Sequence, residues 1–123
     1  MKLMRVGTAG RERPALRMAD GTVIDVSSVV DEYDGAWLAA GGMAALESRL
    51  SEGVDGFPVV DTAAERIGAP IARPGNILAI GLNYADHAAD AGIAVPAEPV
   101  LLTKAPRSYL GPTAPPLPPP PRP

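Results

Sequence analysis

The sequence predicts an α+β fold: a small N-terminal β-meander and helix lobe, then the opening strands and a short helix of a second domain. Three observations predict it. Asp20-Gly21 joins the apolar positions Leu16 and Met18 to Val23-Ile-Asp-Val26, the strongest short-range hairpin signal in the chain. From Trp37 to Leu50, the positions Leu38, Met43, Leu46 and Leu50 approximate one helical stripe. The apolar run Ile77–Ile80 then meets Gly81 and a polar helix start, and a second apolar run follows at Val100–Leu102.

Taken in order, residues 2–7 and 14–19 are short mixed runs separated by the charged turn Gly10-Arg-Glu-Arg13, so with the Asp20-Gly21 hairpin they predict an antiparallel meander. Ser27-Ser28 can cap a short helix through Tyr33, with Gly35 as its end. The stripe beginning at Trp37 is interrupted by Gly41-Gly42. Two glycines cost about 2 kcal/mol relative to alanine in a helix interior, so a break is expected there. Trp37, beside Leu and Ala, is expected to be the largest core residue of this half. Residues 51–63 form a connection around Phe57-Pro-Val-Val60, Arg66–Ile71 is a brief extended segment, and Arg73-Pro-Gly75 is a turn. The composition shift near residue 74 places the small lobe at 1–73 and the start of a second domain at 74–111. The tail at 112–123 holds eight prolines, lacks backbone donors and is expected to be polyproline II or disordered.

The bulk numbers exclude several classes. With 123 residues, 15 Pro and 13 Gly the chain suits one modest core with many turns. A net charge of −3 and a pI near 5.0 give no basic field for nucleic acid or anionic lipid. Zero cysteines exclude disulfides, thiolate metal sites and a cysteine nucleophile. No signal-peptide core and no 18-residue apolar run is present, so a soluble, cytoplasmic protein is expected.

The residues with chemistry gather between Asn83 and Lys104. Asn83 can cap a helix from Tyr84 to Ala91, with Gly92 as its stop. On it, Asn83 and His87 are four apart, and His87 and Asp90 three apart, so each pair shares a face. A carboxylate beside an imidazole orients it and raises its basicity, as a general base requires. A solvated surface helix with an incidental histidine would carry the same spacing. Lys104 ends the Val100-Leu-Leu-Thr run, where site residues collect. Hard cations want several convergent carboxylates, and Asp86 with Asp90 on one helix do not make such a site, so no metal ligand is assigned within this chain.

Arg73-Pro-Gly-Asn-Ile-Leu-Ala-Ile-Gly-Leu-Asn-Tyr-Ala-Asp-His-Ala-Ala-Asp90, followed by Glu98-Pro-Val-Leu-Leu-Thr-Lys-Ala-Pro106, resembles the entry to the fumarylacetoacetate hydrolase superfamily, and the likeness extends over residues 1 to about 116. The resemblance implies a β-roll catalytic domain of which residues 74–111 are the opening strands and lid helix. It also implies a homodimer, a bound Mg2+, Mn2+ or Ca2+, and 2-oxo or diketo acid substrates. Members hydrolyse acylpyruvates or fumarylacetoacetate-type carbon–carbon bonds, decarboxylate oxaloacetate or isomerise hydroxy-diene-dioates. It casts His87 as the base on a lid segment and Asp90 as its acidic partner, where several members have Glu. Asn83, Tyr84 and Lys104 fall at substrate-binding positions.

The family's Glu-x-Glu metal ligands would follow Leu-Gly-Pro-Thr-Ala-Pro. Here the chain runs Pro115-Pro-Leu-Pro-Pro-Pro-Pro-Arg-Pro123 instead, which implies a truncated portion, inactive by itself. Two alternatives are a non-catalytic fragment pairing with an intact homologue and an interaction module, since Pro115-Pro-Leu-Pro118 matches a pattern read by WW domains.

Overall fold

In the computed structural model residues 1–114 are described, so the Pro-Pro-Leu-Pro motif and most of the expected extended tail lie outside the described residues. Elements of both classes are present: two small antiparallel sheets and three α-helices. The described residues divide into two compact units, one formed by Met1–Arg73 with residues 109–114, the other by Pro74–Ser108.

In the first unit β1 (Lys2–Val6), β2 (Arg13–Arg17) and β3 (Val23–Asp25) form an antiparallel sheet in that order, with Leu3 opposite Leu16 and Leu16 opposite Ile24. The β2–β3 turn closes as the Asp20-Gly21 pair predicts. Met18 N–H donates to Thr22 C=O, the Asp20 carboxylate accepts from Thr22 N–H, and Gly21 takes the positive φ of 93°. The two edge strands are both covered. Pro58 and Val60 hydrogen-bond β3 on one side, while Arg66 and Gly68 hydrogen-bond the β1 edge on the other. Unpaired edges of this kind invite pairing with other chains, and these bridges blunt them.

The expected helix from Ser27 to Tyr33 does not form. Asp25 Oδ1 accepts both the N–H and the hydroxyl of Ser27, which closes a turn and diverts the serine from capping. Gly35, expected as a helix end, begins α1 (Gly35–Ala39), capped by Asp34 accepting from Trp37 N–H. The break falls at the two glycines: Gly41 adopts φ 78° and α2 runs Gly42–Ser51.

Leu16, Ile24, Val26, Val30, Tyr33, Leu46 and Phe57 form the main core, and Met4, Val6, Ala15, Val23 and Val60 pack on the other face of the sheet. Tyr33, not Trp37, is the largest fully buried side chain. Its hydroxyl donates to Ala15 C=O, and burial, helped by the nearby Asp25 charge, holds the phenol proton well above its ordinary range. Trp37 is half-buried and leans on Tyr33 with ring centroids 4.9 Å apart. Tyrosine can be buried whole here because its one polar atom finds a carbonyl.

After Tyr109 the chain returns to this unit. Gly111 is buried so close to the Ile67 carbonyl that an added Cβ would lie 2.5 Å from it. Residues 112–114, expected to be extended, make a turn closed by Ala114 N–H donating to Gly111 C=O, while the Thr113 hydroxyl donates to Ile67 C=O.

The second unit is a strand–helix–strand: β4 (Ile77–Gly81), α3 (Ala85–Asp90) and β5 (Val100–Lys104), then one 3-10 turn at Pro106–Ser108. β4 and β5 pair antiparallel, Ile77 opposite Lys104 and Gly81 opposite Val100. Ala88 is the only fully buried residue described between 74 and 108.

Candidate active site

The β4–α3 junction positions the candidate residues. Gly81 is the last residue of β4 and does not itself make the sharp turn. A Cβ there would meet the Leu102 side chain at 3.2 Å, so glycine serves cross-strand closeness. The left-handed conformation falls on Leu82, φ 51°, which a branched residue adopts at a cost of about 1–2 kcal/mol. Such strain persists only where the surroundings impose it, and it recurs at functional sites.

Asn83 is not the cap. The N-cap position belongs to Tyr84, extended at φ −114° and ψ 131°, with no side-chain capping bond, and α3 starts one residue later than its sequence signal. The capping role passes to Asp86, whose Oδ1 accepts from the His87 N–H at 2.8 Å. Gly92 stops the helix as expected: it takes φ 66°, and the N–H groups of Gly92 and Ile93 close on Ala89 and Ala88 carbonyls.

His87, Asp90, Asn83 and Tyr84 are all solvent-exposed. Among the described residues no hydrogen bond links the His87 ring to Asp90; the two share a helix face without touching through polar atoms. Lys104 sits opposite Ile77, at the end of the sheet away from Gly81, where β4 hands over to α3. Four residue-to-residue steps along β4 separate those ends, about 13 Å. The structure therefore groups Asn83, Tyr84, His87 and Asp90 and leaves Lys104 at the other end of the hairpin.

What it brings to Asn83 instead is Glu98. Both line a cleft of about 210 Å³ walled by Ile80, Leu82, Val95 and Pro96. Glu98 was visible in the sequence only as the residue opening the second apolar run. Its side of the cleft is set by the β4–β5 register, which brings the residues before Val100 back beside Gly81. An amide and a carboxylate in one small cleft can hold hydroxyl or water hydrogens, and the exposed imidazole on the following helix can move a proton. A divalent cation, which the family resemblance implies, has no ligand set here: among the described residues no group of three or more His, Asp or Glu converges.

Comparison with known proteins gives the chain clear relatives. A protein named "Putative hydrolase" from Burkholderia multivorans is 44% identical over 115 residues, covering 91% of this chain and 38% of its own length. Proteins of the same name from Burkholderia lata and Burkholderia ambifaria are each 42% identical over 113 residues, with the same shares. The chain thus spans well under half the length of the curated relatives it matches. A match over 91% of the chain necessarily takes in Ile77–Lys104, which lies further from either terminus than the unmatched remainder. No protein-family model matches the chain.

Proposed function

We propose that the chain is a portion of a hydrolase of the fumarylacetoacetate hydrolase superfamily, acting on 2-oxo or diketo acids such as acylpyruvates. The observation that carries this reading is the match to relatives named as hydrolases across the strand–helix–strand unit that presents His87. In the proposed reaction His87 takes a proton from water. The hydroxide adds to the acyl carbonyl, the carbon–carbon bond breaks, and its electron pair leaves on the pyruvate enolate, which is protonated at carbon. General base catalysis of this kind contributes typically about 10²–10⁴-fold. Asp90, three residues further along the same helix face, is assigned the positioning role toward the imidazole. Asn83 and Glu98 hold polar substrate or water hydrogens in the cleft, and Tyr84, next in the chain at the helix start, is assigned to substrate binding. Lys104 is proposed as an anion anchor only for the far end of an extended substrate, given its place on β5.

The test replaces the matching segment of the Burkholderia multivorans relative with this chain's residues 1–114 and follows acylpyruvate cleavage. Turnover by the folded chimera is expected. A folded chimera without turnover, or a relative that itself leaves acylpyruvates intact, contradicts the reading.

A further inference from the structure

The first unit holds a second concavity, along the edge of β1. There the 66–68 segment hydrogen-bonds the β1 edge at Arg5 and Gly7, and Ile67 bridges Val6. Toward the Lys2 end no described residue outside the sheet hydrogen-bonds this edge. What remains is a trough of about 340 Å³ with Leu3, Met4, Ile67 and Pro70 as apolar walls and Lys2 and Arg17 at its rim.

The two cations are directly opposed in the strand register. Like charges facing each other across strands are destabilising. The neighbouring Arg5, Arg13 and Arg66 each hold a carboxylate, whereas Lys2 and Arg17 have no ion pair or side-chain hydrogen bond among the described residues. An apolar trough rimmed by two cations that no described carboxylate matches suits an anion with an apolar body.

We infer that this trough binds a small amphiphilic monocarboxylate. Its carboxylate sits between Lys2 and Arg17, and its alkyl or aryl body lies on Leu3, Met4, Ile67 and Pro70. The volume is at the low end of small-molecule sites, so the ligand is a single short chain or ring. The site is built from residues of the first unit and does not depend on the proposed hydrolysis.

The experiment titrates the isotopically labelled 123-residue chain with octanoate and reads backbone amide shifts, with acetate and 1-octanol as controls. Saturable shifts at residues 2–4, 17 and 67–70 are expected, with octanoate binding more tightly than either control. Lys2→Glu supplies Arg17 with a cross-strand partner, so it is expected to raise the thermal midpoint of the ligand-free chain and weaken octanoate about tenfold. Arg17→Gln, which adds no new charge, is expected to weaken it similarly. Shifts centred on residues 77–104, octanol binding as tightly as octanoate, or unchanged octanoate affinity in both variants would overturn the site.

Discussion

The Glu12 side chain is 8% exposed, and it accepts hydrogen bonds from Arg66, Arg5 and the Gly10 N–H. Burial alone would raise its carboxyl, but the Arg66 bond and the surrounding donors outweigh it and hold the group below its ordinary 4.5. Asp25 behaves alike: burial opposes, and Ser27 with Arg13 lowers it below 3.8. Since both folded values are depressed, their stabilisation is present above the ordinary values and is lost as pH falls through the folded ones. The thermal midpoint is therefore expected to fall between about pH 5 and pH 3, and Glu12→Gln to flatten that slope. An equally steep slope in the variant would remove Glu12 from the account. Arg5 depends most on a single partner, since Glu32 binds it in bidentate fashion at 2.7 Å twice. Glu32→Ala leaves a buried guanidinium short of its main counter-charge and is expected to cost about 3 kcal/mol in chemical denaturation. None of these partnerships was legible in the sequence, because they join residues such as Arg5 and Glu32, or Glu12 and Arg66, that only the folded chain brings together.

The elements the sequence revealed are those whose signal is local. Asp20-Gly21 carries its own turn chemistry, and Gly41-Gly42 carries its own helix penalty, so both appear where expected. The helix expected after Ser27 failed because a side chain two residues upstream, Asp25, competed for the same serine. Tyr33 was overlooked because nothing local announces that Ala15 will offer its hydroxyl an acceptor. In the candidate site the helix, its stop at Gly92 and the shared His87/Asp90 face were readable, whereas Glu98's place beside Asn83 depends on the β4–β5 register. Gly42 separates two effects by size. Alanine there would gain up to about 1 kcal/mol of helix propensity. Its Cβ, however, would overlap the Trp37 indole, and overpacking costs about 1–3 kcal/mol. Gly42→Ala is expected to lower the melting temperature and shift Trp37 emission; a raised melting temperature would mean the indole moves freely aside.

At the scale of the whole molecule the two units differ in how they bury apolar surface. The first has a sheet with buried apolar residues on both faces and hydrogen-bonded partners on both edges. In the second, Leu78, Ile80 and Leu101 share one sheet face at 61%, 47% and 62% exposure. A two-stranded hairpin alone is marginal in water, and bare apolar strands favour association. Hydrogen exchange is thus expected to show strong protection in β1–β3 and near-free exchange in β4 and β5. The chain should also bind a hydrophobic dye through this face, with dye binding reduced by Leu78→Lys and Leu101→Lys together. Equal protection in both sheets would contradict this. No helix among the described residues is long and apolar enough to cross a membrane.

His87 as the base is tested most directly by steady-state kinetics of the chimera carrying this chain, with His87→Ala beside it. A base that acts only in the transition state predicts kcat lower by about 10²–10⁴-fold with KM nearly unchanged. A kcat within a factor of about two of the parent chimera would contradict it and take the histidine out of the mechanism.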